Sequence, residues 1–366
     1  MSKPPLTVRV PGKLMIAGEF AVLEPYQKLA VMAVDRFVYA KLEKSVDNRL
    51  SLETFNLHDL PWAYDETGAV HVKTDDTRVK FVENAMTVVY TYLRENNYKP
   101  HNFHLSIRSE LDDAAGRKYG LGSSAAVVTS AVFAILARFL PKRPPETLVF
   151  KLAAVSHVIT QGSGSGADIA ASSYGGWLEY VSFQAEWLTE AYKSSNYITE
   201  LVHSDWPYFA AQRVQLPEDI YMCIGWTGSP ASTSELIEKI SMFKATSPDL
   251  YNGFLTGSRQ AVTSFLQGLE TGDTTSVLKG IRQNRRILAD LGRNAGAPLE
   301  TPLLKTLCDL AETFGGAGKL SGAGGGDCGI AFMPSKEKAK QLIKAWKQAG
   351  IHPLEMHPCA FGASVI

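Results

Sequence analysis

The sequence lacks an excess of either charge: 37 lysines and arginines stand against 37 aspartates and glutamates in 366 residues. A general nucleic-acid binder, or a protein held to an anionic membrane surface, carries a basic surplus, so neither is expected as a partner. No apolar run approaches the roughly 20 residues of a membrane-spanning helix. Cysteine is scarce, with four residues far apart (Cys223, Cys308, Cys328, Cys359) and no C-x-x-C pair. That excludes a disulfide frame and a cysteine zinc site, and fits buried thiols in a reducing compartment. The eight histidines form no H-E-x-x-H motif, and His101 and His104, in or beside a strand, read as structural. Repeats and low-complexity tracts are also absent. The opening Met1–Pro5 leads into no apolar leader segment, so a cytoplasmic protein is expected.

The 45 % hydrophobic content excludes disorder. The length exceeds what one hydrophobic core usually serves, so two domains are expected, over 1–185 and 186–366. In the first half, Val8 and Val10 alternate with polar residues, a β-rich run spans 30–42, and Asp47-Asn48 predicts a hairpin turn before Leu50. Helical spacing predicts an amphipathic helix over 78–95, followed by a strand at Phe103–Ile107. Ser123 to Phe139 is nearly uncharged, which predicts a helix buried on all sides. A strand at Trp177–Val181 precedes a polar connection over 193–205. The second half reads as helices near 234–244, 252–270, 274–291 and 301–314, a strand at Cys328–Met333, a charged helix at 335–349 and a last strand near 351–357. The class is α+β.

Three glycine-containing loops carry the chemistry. In Lys118-Tyr119-Gly120-Leu121-Gly122-Ser123-Ser124-Ala125-Ala126, the glycines let backbone N–H groups turn inward at the positive end of the following helix. Ser123 and Ser124 add hydroxyls for phosphate oxygens or Mg²⁺. A dinucleotide fingerprint needs a tight strand-to-helix turn, and a dozen polar residues intervene here. No Walker A motif is present, because Leu320 follows Gly318-Lys319. In Pro11-Gly12-Lys13, the lysine sits on stiff backbone between strand-like segments. In Ser321-Gly322-Ala323-Gly324-Gly325-Gly326-Asp327, so much glycine beside an apolar strand implies close approach of backbone to something else. A fourth stretch, Gly162–Asp168, places a carboxylate after another glycine loop, where a lone aspartate is most often a helix cap. Asp112-Asp113 reads as a polar loop rather than a paired carboxylate site.

In this order, the motifs resemble the GHMP kinase superfamily from Pro11 to Gly329. The Gly18–Pro25 string with Val34–Val38, the Gly225–Ser234 string and Gly324–Gly329 are most similar to its bacterial-type phosphomevalonate kinases. The second motif departs from the family pattern, with Gly116 near where its opening proline usually stands. The implied fold has an N-terminal domain like ribosomal protein S5 domain 2 and a ferredoxin-like C-terminal domain, with the site between them. The implied ligands are the small molecules ATP and phosphomevalonate, with Mg²⁺. By the resemblance, Lys13 and Asp168 are the catalytic pair, and Gly120, Leu121, Gly122, Ser123, Ser124 and Ala125 hold ATP, with Ser124 as the metal contact. Lys13, Glu19, Ser165, Ser232, Lys319, Ser321, Gly322, Ala323 and Gly324 face the acceptor, and Arg285-Arg286 adds positive potential or lies on a solvated face. His157 stands where mevalonate kinases place a magnesium-binding glutamate, which disfavours that activity. Mevalonate kinase, or another small-molecule kinase of the superfamily, is the enzymatic alternative. A ligand-sensing protein on the same fold is the non-enzymatic one.

Overall fold

A computed structural model describes residues 4–112, 119–228 and 233–366, the side chains of Thr233 and Ser234 excepted. The chain starts with β1 (Leu6–Ala17), β2 (Lys28–Lys44), β3 (Arg49–Leu52), β4 (Leu57–Tyr64) and β5 (Val70–Val72). There follow α1 (Lys80–Glu95), β6 (Phe103–Ser109), α2 (Ser123–Phe139), α3 (Glu146–Gln161), α4 (Ala167–Tyr174) and β7 (Trp177–Val181). After α5 (Ala185–Ser194), α6 (Ile198–His203), β8 (Ala210–Val214) and β9 (Tyr221–Trp226) come α7 (Thr233–Thr246), α8 (Pro248–Thr271), α9 (Thr274–Asn294) and α10 (Pro302–Thr313). The chain ends with β10 (Ala317–Leu320), β11 (Cys328–Met333), α11 (Lys336–Gln348), β12 (His352–Leu354) and β13 (Ser364–Val365). The α+β expectation holds.

The first sheet runs β13-β1-β2-β6-β3-β4-β5, with β7 beside β2 and β8 beside β7. The hairpin expected at Asp47-Asn48 does not form, because β6 lies between β2 and β3 and pairs with β3 in parallel. A local turn signal reports that the chain reverses, not which strand it reverses onto. The connection expected over 193–205 contains α6. The sheet also reaches past the boundary expected at 185/186, since β8 and β13 pair back into it.

Helices α1 to α4 pack together, with α2 and α4 against β1 and β2. α1 offers one apolar stripe, Val82, Met86, Val89 and Leu93, all buried. α2 is buried over most of its length, as its near lack of charge dictates. The second sheet, β10-β11-β9-β12, is antiparallel throughout. α10 and α11 cover one face through Leu307, Cys308, Leu342 and Trp346. On the other face, Phe265 of α8 meets Phe332 edge-on with ring centres 5.6 Å apart. All four cysteines are free thiols, three of them buried. Among the described residues, no helix is long and apolar enough to cross a membrane.

Candidate active site

A cavity of about 960 Å³ opens where the two sheets meet. β1 supplies its floor. Pro11 and Gly12 lie at a register shift against β2, which is how a proline is accommodated inside a paired strand. Gly12 is required by closeness: a Cβ there would sit 2.9 Å from Leu111 and 3.0 Å from the Leu121 carbonyl. The glycine string over 120–122 therefore crosses directly above β1, and the Lys13 N–H donates to the Leu121 carbonyl at 2.9 Å. The Lys13 side chain is 8 % exposed, and its Nζ donates to the Gly120 carbonyl at 3.0 Å.

Gly122 is the N-cap of α2, with φ +77° and no side-chain cap. The first backbone N–H groups of that helix are left to an external acceptor, and the helix dipole favours an anion there. A Cβ on Gly122 would lie 3.1 Å from Lys13 Cγ and 3.2 Å from Asp168 Cβ. Lysine, aspartate and helix N-terminus thus converge on one glycine. Asp168 sits in the first turn of α4, and its Oδ1 accepts the Ile169 N–H at 3.0 Å. The preceding loop is pinned from below, since the Tyr180 hydroxyl donates to the Ser165 carbonyl at 2.5 Å. Ser165 lines the cavity, and its hydroxyl accepts the Ala167 N–H at 3.3 Å.

Ser124 Oγ lies 3.2 Å from His157 Nε2. Burial lowers the basicity of His157, with the nearby Asp168 charge pulling partly the other way, so the ring is neutral beside Ser124 at ordinary pH. His157 and Gln161 stand one turn apart on α3 and both line the cavity. That polar i, i+4 pair near the end of a largely apolar helix is the signal by which Gln161 could have been found. α7 contributes Ile237, Glu238, Ser241 and Met242 as a wall, which sequence reading missed.

The third loop divides between two jobs. Ser321, Gly322 and Ala323 line the cavity, and the Ser321 hydroxyl donates to the Met15 carbonyl at 2.8 Å. Gly324 does not line it. A Cβ there would come within 2.4 Å of the Leu299 carbonyl oxygen, so this glycine permits backbone packing rather than ligand approach. Lys319 is also away from the cavity: it is fully buried and its Nζ is bonded to Glu19. Burial lowers its basicity, and the Glu19 carboxylate opposes that shift. Glu19 itself lines the cavity. Arg285 is held by Glu300, Asp309 and Glu312, a structural network rather than a solvated face. His104 bonds Ser51 at 2.9 Å, in keeping with a structural role. Ser232, Asp113 and Gly116 lie outside the described residues.

Among the described lining residues, Lys13 is the only lysine or arginine, against the carboxylates of Glu19, Asp112, Asp168, Glu238 and Asp327. An anionic ligand is met here by backbone N–H groups, by Lys13 and by whatever cation it brings. No group of three or more histidine, cysteine, aspartate or glutamate side chains suited to a metal occurs among the described residues.

Residues 81–176 match the GHMP kinases N terminal domain and residues 265–352 match GHMP kinases C terminal. The phosphomevalonate kinase of Streptomyces sp. (strain CL190) is 32 % identical over 364 residues, 96 % of each chain. The Lin0012 protein from Listeria innocua superposes with a TM-score of 0.93 at 36 % identity, over 99 % of both chains. A phosphomevalonate kinase from Streptococcus pneumoniae, solved in complex with phosphomevalonate and AMPPNP, superposes at 0.84 with 25 % identity. That match covers 96 % of this chain and 99 % of the other.

Proposed function

The chain belongs to the GHMP kinase family, and from that premise we propose that it moves the γ-phosphoryl group of ATP onto (R)-5-phosphomevalonate. The products are (R)-5-diphosphomevalonate and ADP, a step of the mevalonate pathway of isoprenoid biosynthesis. The observation that carries the reading is the convergence of Lys13, Asp168 and the α2 N-terminus on Gly122, in a chain matched over nearly its whole length by a phosphomevalonate kinase.

Phosphoryl transfer is mostly positioning and neutralisation of charge. Gly120 to Ala125 cradle the ATP phosphates through the free N–H groups of α2. Lys13, held by the Gly120 carbonyl, spans the transferring and accepting phosphates. The accepting oxygen belongs to a phosphate whose second pKa is about 6, so it is largely ionised at neutral pH. Asp168 therefore orients Lys13 and the acceptor, and proton removal is secondary. Ser321, Gly322 and Ala323 face the acceptor, with Glu19 behind them. Lys319 acts through Glu19, not on substrate.

The donor set suits Mg²⁺ carried in on ATP: a neutral hydroxyl at Ser124 and, among the described residues, no dedicated carboxylate cage and a lining short of cations. Ser124 would contact the ion, which neutralises charge on the phosphates when bound. Four free thiols support a reducing, cytoplasmic location.

The test offers purified protein mevalonate and phosphomevalonate in parallel with MgATP. Turnover is expected with phosphomevalonate. Preferential turnover of mevalonate makes the chain a mevalonate kinase, and ATP binding without turnover of either makes it a sensor on a kinase fold.

A further inference from the structure

Three interior polar side chains lie on elements that pack against one another, Glu19 just after β1, Ser258 on α8 and Asn284 on α9. Glu19 is 3 % exposed, and while Oε1 holds Lys319, Oε2 has no hydrogen-bond partner among the described residues. Ser258 on α8 and Asn284 on α9 are buried to 1 % and 0 % exposure. The Ser258 hydroxyl and both ends of the Asn284 amide likewise have no partner there.

Helical register turns these residues toward one another's elements. Phe254 and Val262 flank Ser258 by one turn on either side. Phe254 shares an apolar cluster with Phe20, and Val262 Cγ2 would lie 3.2 Å from a Cβ on Gly18. Ser258 therefore stands at the level of Glu19. Asn284 is one turn from Gly280, which is pressed onto Ala261 and Phe265 of α8. It is also one turn from Leu288, which clusters with Leu320 beside Lys319. Lys319 pairs with Ile330 on the sheet face that α8 covers through Phe265 and Phe332.

Buried amides, hydroxyls and carboxylates in native proteins are bonded either to protein or to ordered water. These side chains offer two acceptors (Glu19 Oε2, Asn284 Oδ1), one NH₂ donor (Asn284 Nδ2) and a hydroxyl that does either. That is the two to four partners, roughly, that a buried water requires. We infer that Glu19, Ser258 and Asn284 enclose ordered water behind the cavity, and that Ser258 and Asn284 act through it as positioning residues for the Glu19 carboxylate. The torsion that turns a carboxylate plane is soft. Lys319 fixes one oxygen and leaves the plane free to rotate, and the water fixes the second. The carboxylate then presents one orientation to the acceptor side of the cavity.

Two measurements test this, and only the second rests on the kinase reading. The first is a crystal structure of the ligand-free protein at a resolution that shows ordered solvent. Solvent density within hydrogen-bond distance of both Asn284 and Glu19 Oε2 supports the inference, and a direct Asn284–Glu19 bond or a dry seam overturns it. The second is kinetic. Asn284→Leu removes the polar groups at similar volume, so a merely structural role predicts unchanged kinetics and unchanged or higher stability. The positioning role predicts a KM for the acceptor raised about tenfold, within what a misplaced group costs, with the KM for ATP held. Asn284→Ser, which still binds water, restores most of the loss. In a Glu19→Gln background the effect vanishes; persistence there, or no KM change in Asn284→Leu, overturns the role. Ser258→Ala carries the same test should Asn284→Leu fail to fold. A wild-type chain inactive on phosphomevalonate defeats the kinase reading and leaves the crystallographic result to stand alone.

Discussion

Replacing Gly122 with alanine probes the convergence of Lys13 and Asp168 directly. Gly122 has φ +77°, and a non-glycine residue in left-handed backbone costs about 1–2 kcal/mol. Crowding adds to this, since the new Cβ meets the Lys13 stem at 3.1 Å and Asp168 Cβ at 3.2 Å. The lysine stem can bend away, but Asp168 Cβ is fixed in the first turn of α4 and moves only with its helix. Gly272 gives the control. It is the C-cap of α8 with φ +68°, and a Cβ there meets no atom within 4 Å, so Gly272→Ala incurs the backbone cost alone. Denaturant unfolding should show a loss of about 1–2 kcal/mol in Gly272→Ala and a larger one in Gly122→Ala. Steady-state kinetics should separate them. Gly122→Ala loses about 10- to 100-fold in kcat, because displacements of ångström scale at the reacting groups cost that much, and Gly272→Ala keeps parental turnover. Full activity in Gly122→Ala, or equal losses in the two variants, refutes the claim that this glycine holds the site's geometry.

Lys13→Met is expected to lower kcat by about a thousandfold, with calorimetric binding of an ATP analogue largely retained. Asp168→Asn should cost about a hundredfold, and parental turnover in either variant sinks the assignment. Arg285→Ala removes three ion pairs. It should destabilise the fold by about 2 kcal/mol, less than a fully buried pair because Asp309 and Glu312 meet solvent. Its kcat/KM should stay unchanged, and a selective loss there would instead place Arg285 on substrate. Burial raises the pKa of all four thiols, that of Cys223 to about 12. Mass spectrometry after brief alkylation at neutral pH should find Cys359, the least buried, modified first. Early labelling of Cys328 would contradict the packing of the third loop.

Local pattern made much of this architecture legible. The near absence of charge over Ser123–Phe139 told of a helix enclosed on all sides, and α2 has those bounds. The amphipathic stripe of α1 and the alternation of β6 were equally direct. What stayed hidden is non-local. No signal near Asp47-Asn48 announces that β6 will slide between β2 and β3, and β8 and β9 were lost in a half that reads as helical. At the site, the glycine-flanked Lys13 and Asp168 were found because their neighbours are unusual. Lys319 was drawn to the acceptor by its place beside a glycine loop, whereas its partner Glu19 lies 300 residues away. Gly324 was drawn there by its company, although its neighbour is the Leu299 backbone.

The Glu19–Lys319 and Met15–Ser321 contacts also dictate when the site can exist during synthesis. Domains fold largely in the order they leave the ribosome. Lys13, the glycine string and Asp168 all emerge within the first half of the chain and can assemble early. Glu19 then waits for nearly the whole remaining length, with its carboxylate exposed to water and its future cation unmade. Closing so long a loop is slow. The acceptor side of the site is thus the last part to mature, and a nascent chain halted before β10 would hold a formed phosphate cradle beside an unfinished wall.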